Sequence, residues 1–175
     1  MSFPRTQKLT AGFTMIEMVL YVTLITIITV PIISLIVSTS ENLQKLRAAR
    51  TVDTSAQIVL EKISREIRYA SDVDVITSIL GTTPGKLELL SQTSGGVPIT
   101  VSFSVVAGRI EFQRSTSASS SPLTPANILV DQLIFDLITT PRSKAIKTSL
   151  VLTATQGAGV VERTYNTTTV LRGSY

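Results

Sequence analysis

The sequence predicts an α+β protein in which one long N-terminal helix packs on an antiparallel β-sheet. Three observations lead to this fold class. An uncharged apolar run fills residues 18–37. A helical repeat of apolar side chains then continues to about Ala70, and beyond Ala70 apolar and polar residues alternate at the period of a strand. We therefore expect a membrane-compatible helical half at 13–37, an amphipathic half at 38–70 and a β domain at 71–175.

The first half of the predicted helix is long enough to cross a bilayer. Residues 18–37 read MVLYVTLITIITVPIISLIV and carry no charge, and about 20 apolar residues span the hydrocarbon core as a helix. Thr23, Thr26 and Thr29 lie on one face, where their hydroxyls can bond to their own helix or to a neighbouring one. Pro31 lacks the backbone N–H that a helix interior needs, so we predict a kink there.

The second half of the predicted helix is amphipathic. No glycine or proline interrupts the chain between Pro31 and Gly81, and charged residues fill the faces that the apolar stripe leaves. This pattern predicts a helix that is half buried against a partner surface. The predicted stripe consists of Leu43, Leu46, Ala49, Ala56, Val59, Leu60, Ile63 and Ile67.

The remainder of the chain predicts a meander of strands. Alternation over 99–105 and 110–113, with Ala107-Gly108 between them, is typical of a hairpin. Further strands are predicted at 86–90, 128–138, 146–155 and 160–171. Because no helix separates these strands, the sheet should be antiparallel, and the apolar stripe of the helix should cover its apolar face.

Composition limits the function classes. The chain has 16 basic and 12 acidic residues, and it has no cysteine and no histidine. Disulfides, thiolate or imidazole metal sites and Cys/His catalysis are thereby excluded. A net charge of +4 is below what a dedicated nucleic-acid binder usually carries. We expect a protein that is not an enzyme, with no cofactor, no metal and no direct nucleic-acid binding.

Five features of the sequence suggest chemistry, and each has a structural alternative. The segment GTTPGKL at 81–87 has the wrong glycine spacing for a phosphate loop, and Leu87 stands where Ser or Thr would bind magnesium. The Asp-Val-Asp run at 72–74, and Asp131 with Asp136, lack the oxygen density of a calcium loop. Ser143-Lys144 has no oxyanion-type glycine cluster beside it and indicates a solvated turn. The sequon at Asn166 lies in a predicted strand.

The N-terminus is compatible with a secretory signal peptide, a plain signal anchor or a leader that ends at Gly12. The apolar run is longer than a signal peptide requires. Basic residues both precede it, at Arg5 and Lys8, and follow it, at 45, 47 and 50, so the positive-inside rule is ambiguous. Glu17 would cost about 2.5–3.5 kcal/mol at the centre of a membrane unless a partner meets it there.

The stretch G-F-T-M-I-E-M, from Gly12 to Met18, resembles the class III leader junction of type IV pilins and type II secretion pseudopilins. The usual form is Gly, Phe, Thr-Leu-Ile-Glu, and here Met15 replaces the leucine. The resemblance is specific over residues 8–37 and architectural beyond them. The later segments 129–140, 147–155 and 164–175 look most like minor pilins and pseudopilins of the J/W type. Pro31 falls about one turn earlier than the proline of many relatives.

The resemblance implies a processed structural subunit. A prepilin peptidase would cut between Gly12 and Phe13 in the cytoplasm, removing the leader at 1–12, and Phe13 would then be N-methylated. Residues 1–12 would face the cytoplasm, and the C-terminal domain would lie outside the cytoplasmic membrane until the subunit enters a pilus or pseudopilus. Glu17 would meet the Phe13 ammonium of a neighbouring subunit and set the register of assembly.

The implied partners are the prepilin peptidase, other pilins or pseudopilins through helix packing, and membrane lipid before assembly. An inner-membrane assembly platform and a motor ATPase would act indirectly, because this chain has no nucleotide-binding motif. The alternative is an uncleaved single-pass anchor that carries an extracellular, adhesin-like binding module. A membrane-tethered hydrolase has no supporting constellation of residues.

Overall fold

The computed structural model describes residues 12–93, 95–156 and 159–172. The chain divides into two compact units, one up to Glu41 and one from Asn42 onward. Within the described ranges there are one α-helix, α1 (Met15–Tyr69), and eight strands. The strands are β1 (Asp72–Val73), β2 (Leu87–Gln92), β3 (Pro98–Val106), β4 (Arg109–Arg114), β5 (Ser121–Pro122), β6 (Ile128–Thr139), β7 (Lys144–Gln156) and β8 (Gly159–Val170).

The strands form two antiparallel sheets. The first has the order β1-β2-β3-β4-β5 and the second the order β6-β7-β8. All the longer strands lie within a few residues of their predicted bounds, whereas the two-residue strands β1 and β5 were not predicted. The predicted hairpin is present, and its turn residues Ala107 and Gly108 have φ values of 49° and 73°. Positive φ at both central positions is typical of the type I′ turn that matches strand twist.

The prediction of a single sheet was wrong, and the contacts of β6 explain why. The edge of β6 that faces the first sheet forms hydrogen bonds with loops and turns and not with a strand. Gly81 and Gly85 donate backbone hydrogen bonds to the carbonyls of Phe135 and Leu133, at 2.9 and 2.7 Å, and Val130 donates to the carbonyl of Gly108 at 2.9 Å. Since these contacts satisfy the edge of β6 without a ladder, the two sheets remain separate.

Gly85 is where the chain passes closest to β6. A Cβ built on Gly85 would lie 2.8 Å from the carbonyl oxygen of Leu133 and 3.2 Å from Cδ2 of Phe135. Glycine is therefore required at this position by close packing, since a methyl group would collide with backbone. The predicted turn at 81–87 thus joins the first sheet to the second.

The predicted stripe is correct in its C-terminal part, where Ala56, Val59, Ile63 and Ile67 are fully buried, and wrong toward its N-terminal end. Leu43 and Leu46 are exposed and Ala49 is half-buried, whereas Ala48 and Val52 are fully buried. The predicted stripe included the large side chains of Leu43 and Leu46. In the structure, this part of the helix comes close to β8. A Cβ on Gly159 would lie 3.1 Å from the backbone nitrogen of Lys45, so glycine at this position lets the two backbones approach closely. The buried face comprises Ala48, Val52, Ser55, Ala56, Val59, Ile63, Glu66 and Ile67.

The core lies between this face of α1 and the sheets. Its largest fully buried side chains include Phe103 from the first sheet and Phe135 and Leu150 from the second. The helix therefore covers both sheets at once, and one apolar cluster includes residues from α1 and from the longer strands. The predicted packing of an amphipathic helix on antiparallel β structure is confirmed.

Glu66 connects α1 to the first sheet through a partly buried charge cluster. One oxygen, Oε1, accepts from Lys62 Nζ at 2.6 Å and from Arg114 Nη2 at 2.8 Å. The Lys62 ammonium also lies 4.3 Å from the centroid of the Phe112 ring, and the Arg114 guanidinium lies 5.5 Å from it. Charge-assisted hydrogen bonds and cation–π contacts thus fix the position of this part of the helix on β4.

A second polar contact connects α1 to β8. The Tyr165 hydroxyl donates to Oδ1 of Asp53, and Arg163 Nε lies 3.6 Å from the same oxygen. One turn before the helix ends, the Thr169 hydroxyl donates to Ser64 Oγ at 3.0 Å. Together these contacts hold the helix along β8.

Candidate functional site

The start of α1 brings three of the predicted site residues together. Thr14 is the N-cap, because the backbone N–H of Glu17 approaches its Oγ1 at 3.4 Å and its carbonyl at 3.1 Å. The sequence Thr-x-x-Glu has the form of a capping box, and Glu17 lies in the first turn, where a negative charge complements the helix dipole. Glu17 therefore has a local role in helix initiation in addition to the predicted role in assembly.

The Glu17 carboxylate has no cationic partner among residues 12–93, 95–156 and 159–172. The side chain is half-buried by its own helix. This carboxylate lies one turn into an apolar helix and has no counter-charge nearby. A cation from another molecule would therefore stabilise it. This geometry is compatible with the predicted intermolecular pairing, which stays a prediction.

Gly12 and Phe13 precede the helix in an exposed stretch. A Cβ on Gly12 would have no heavy atom within 4 Å, so folding of this chain does not require glycine at that position. Phe13 contacts Tyr21 edge-to-face, with ring centroids 6.3 Å apart. This contact keeps the Phe13 ring on the helix surface. The peptide bond between Gly12 and Phe13 thus lies in open chain, immediately before a capped helix.

The apolar half of the helix is uncovered. Every large apolar side chain from Phe13 to Val37 is exposed, from 47% for Tyr21 to 88% for Met15. By length and composition this part of α1 can cross a membrane. These side chains have no cover within the described chain.

The hydroxyls in this segment are satisfied internally. Thr23, Thr26 and Thr29 donate to the carbonyls four residues earlier at 2.7–2.8 Å, and Ser34 and Thr39 do the same. Of the two predicted uses of these hydroxyls, the structure shows the bond to their own helix. These five hydroxyls therefore need no hydrogen-bond acceptor outside their own helix.

Pro31 lies 14 residues after Glu17 and apart from the cluster at the helix start. The helix is continuous through it from Met15 to Tyr69. Proline has no N–H to donate to the carbonyl of Ile27, so one hydrogen bond of the ladder is missing. The predicted kink at this point stays a prediction.

Thr14 and Tyr21 are functional candidates that the sequence reasoning missed. The signal for Thr14 was present, since the Thr-x-x-Glu spacing before an apolar run is a helix-start pattern. No comparable signal existed for Tyr21, because its edge-to-face contact with Phe13 joins residues about two helical turns apart.

Aspartates of the other sequence motifs take part in structural contacts. Asp72 accepts from Lys144 Nζ at 2.6 Å, which lowers the pKa of the Asp72 carboxyl and commits the lysine to an ion pair. Asp74 accepts from the backbone of the following turn, and Asp131 accepts from Thr153. Among the residues that the structure describes, no three of the His, Cys, Asp or Glu side chains gather as a metal site would need.

Comparison with known proteins yields one informative similarity. No family model matches the sequence, and no curated protein matches it. Among solved structures, the model is similar to a type IV-like pilin from Thermus thermophilus, with a TM-score of 0.50 and 9% sequence identity. The similarity covers 73% of this chain and 98% of the other. At this identity it shows the fold alone, and it confirms the expected pilin-like α+β architecture.

Proposed function

We propose that the chain is a structural minor subunit of a type IV pilus or a type II secretion pseudopilus, assembled through residues 13–37. One observation carries the proposal: an uncovered apolar helix with a single unpaired carboxylate in its first turn is joined to a domain of pilin-like fold. A plain membrane anchor has no use for Glu17 beyond helix initiation, and a charge in lipid is costly. An assembly helix uses it, since a wrong register leaves that charge unpaired.

Processing is the first step of the proposed function. A prepilin peptidase hydrolyses the Gly12–Phe13 amide, so that water supplies the oxygen of a new Gly12 carboxylate and the proton of a new Phe13 amine. The open chain around Gly12 admits a protease, and a residue without a Cβ adopts the extended backbone that a protease site requires. The new amine is then N-methylated, which preserves its positive charge.

Assembly is the second step. The Phe13 ammonium of one subunit pairs with Glu17 of its neighbour, while the exposed apolar side chains of residues 13–37 leave lipid for contacts with other helices. The hydroxyls of Thr23, Thr26 and Thr29 already bond to their own helix. These hydroxyls therefore do not favour one alignment of the neighbouring helix over another. The charge at Glu17 determines the register.

The proposal also includes topology and partners. Removal of a basic leader by a cytoplasmic-side peptidase leaves the β domain outside the cytoplasmic membrane. The subunit would interact with other pilins or pseudopilins, and indirectly with an assembly platform and a motor ATPase. Assignment to the minor, J/W-like type rests on the resemblance of the late strands.

Intact-mass measurement of membrane-extracted protein, expressed with and without a prepilin peptidase, tests the proposal. With the peptidase, the mass should fall by residues 1–12 and rise by one methyl group. Gly12→Val should block the loss because a branched side chain obstructs the protease site, and Ser40→Val, which lies within α1 and away from the cleavage site, should leave processing intact. Retention of Met1 to Gly12 beside an active peptidase would support the uncleaved anchor with an adhesin-like module instead.

A further inference from the structure

Strand β8 forms an edge of the second sheet. Its single strand neighbour in the described chain is β7, with which it pairs over twelve residues. Edge strands present rows of unpaired backbone N–H and C=O groups, and natural proteins usually protect them with proline, lysine or a bulge. Residues 159–170 read GVVERTYNTTTV, which contains neither proline nor lysine. This edge is therefore competent to pair with another strand.

The hydrogen-bond ladder identifies which residues face outward. Leu171 donates its backbone N–H to the carbonyl of Lys144, at 2.9 Å. In an antiparallel ladder, bonded and non-bonded pairs alternate. The pairs of β7 with Thr167 and Thr169 are therefore bonded, while Thr168 and Val170 direct their N–H and C=O groups to the free edge. Neither residue has a hydrogen bond on that side to any other described residue.

A groove of about 920 Å³ lies along this edge. One wall consists of the four consecutive residues Thr167 to Val170 with Arg172, and the other of the last turns of α1. Successive residues of a strand point to opposite faces of the sheet. A groove that touches all four of them therefore runs along the strand edge itself, where the outward backbone groups of Thr168 and Val170 are located.

The side chains that line the groove give it a net positive charge. Arg65, Arg68 and Arg172 line it together with one acid, Glu61. None of these four side chains forms an ion pair or hydrogen bond with another residue in the described ranges, whereas Arg114 and Arg163 both contact carboxylates. A cation in the last helical turn complements the helix dipole, which accounts for Arg68. It does not account for Arg172, which follows β8.

We propose that this groove binds an extended acidic peptide segment of a partner protein, which adds to β8 as a further strand. The outward groups of Thr168 and Val170 would pair with the peptide backbone, as in other cases of strand addition. Carboxylates on alternate residues of the peptide would meet Arg65 and Arg68, whose planar guanidinium groups bind carboxylates bidentately. The proposal does not depend on processing or filament assembly.

A second copy of this chain is a poor source of the acidic segment. Its densest acidic run is 72–74, where Asp72 pairs with Lys144 and Asp74 caps a turn. A nucleic acid would contact the arginines and the exposed Tyr69 ring, but it would leave the backbone groups of the edge unused. The combination of strand edge and cations therefore favours a peptide.

The test measures fluorescence anisotropy with the full-length protein in detergent micelles. The probe is a fluorescein-labelled, end-blocked peptide of three Val-Glu repeats. We expect saturable binding that weakens at least about tenfold when Arg65, Arg68 and Arg172 are all changed to Gln, because the carboxylate contacts are lost. The matched control changes the exposed Arg47, Arg50 and Arg142 to Gln, which removes the same charge away from the groove, and should bind normally.

Two further variants test strand addition itself. Thr168→Pro removes an outward N–H without breaking the ladder with β7, and it should weaken binding about tenfold. If that variant folds poorly, the same question is put to the wild type with a probe N-methylated at alternate residues, which should not bind. Equal binding of the methylated probe, absence of binding by the wild type, or tighter binding of a single-stranded oligonucleotide of equal charge would overturn the proposal.

Discussion

Tyr165 connects β8 to α1 through one hydrogen bond, and this bond makes stability depend on pH. Burial, followed by the hydrogen bond to Asp53, raises the pKa of Tyr165 to about 12, from an ordinary value near 10. Because the unfolded phenol ionises first as pH rises, the stabilising contribution is complete below about pH 10 and is lost between about pH 10 and 12. The loss of folding stability at alkaline pH should therefore include a contribution from ionisation of Tyr165.

We predict that Tyr165→Phe costs about 1 kcal/mol at neutral pH, the usual net value of a hydrogen bond. The difference between variant and wild type should then shrink as pH rises above about 10. Denaturant midpoints of the full-length protein in detergent, measured from neutral to alkaline pH, provide the comparison. Tyr69→Phe is the control, because Tyr69 is 70% exposed. A difference that is constant with pH would show that the hydroxyl contact is not the cause.

Glu66 provides a second prediction at the scale of one residue. Its side chain is 7% exposed and is the counter-charge of both Lys62 and Arg114. Glu66→Ala should lower the free energy of unfolding by about 2 kcal/mol, since two neighbouring cations would lose their partner while remaining partly solvated. Glu61→Ala, five residues earlier and without an ion pair, should change it by less than about 0.5 kcal/mol. Equal effects of the two substitutions would contradict the cluster's role.

The second half of α1 is stabilised by the face that it buries. Ile63 is fully buried, whereas Ile58, on the same helix, is 55% exposed. Ile63→Ala should cost about 3 kcal/mol because it leaves a cavity against the sheets. Ile58→Ala should be within about 0.5 kcal/mol of wild type, because alanine also favours the helix. Chemical denaturation of both variants checks the pair, and a large loss at Ile58 would show that a different face is buried.

The elements of this fold were largely predictable from sequence, but the packing between them was not. Period-two alternation located the longer strands because their faces differ in burial. The two-residue strands β1 and β5 are too short to show a period. The prediction assigned Leu43 and Leu46 to the buried stripe, but both are exposed in the structure. A sequence pattern does not reveal that Gly159 brings β8 against Lys45. The division into two sheets depends on loop contacts of Gly81 and Gly85 with β6, which have no local signature.

For the whole molecule, the predicted site was concentrated in one short segment, and its role in processing and assembly stays a prediction. Gly12, Phe13 and Glu17 were proposed because the stretch from Gly12 to Met18 resembles a class III leader junction, and because a charge beside a long apolar run is costly in a membrane. The groove beside β8 was not predictable, because Arg65 and Arg172 are 107 positions apart and meet only in the folded domain. Thus the N-terminal site was proposed from a short sequence motif, whereas the groove depends on tertiary structure.

Replacement of Glu17 tests whether the whole molecule needs its charge for assembly or only for helix initiation. Glu17→Gln retains a residue that is favoured three positions after a threonine N-cap, so helix initiation should be preserved. Membrane retention should also be preserved, since the apolar run gains length without a charge. Incorporation into filaments, measured by subunit content of sheared pili or pseudopili, should fall about tenfold or more, because a neighbour's Phe13 ammonium would lose its partner.

Glu41→Gln is the matched control for this substitution, since it removes the same charge from the same helix at an exposed position. It should enter filaments normally. If Glu17→Gln also enters normally while remaining correctly processed, the carboxylate acts only at the start of the helix, together with Thr14. The register of assembly would then depend on apolar packing alone. If Glu17→Gln is processed and retained in the membrane but excluded from filaments, the charge itself is what assembly requires.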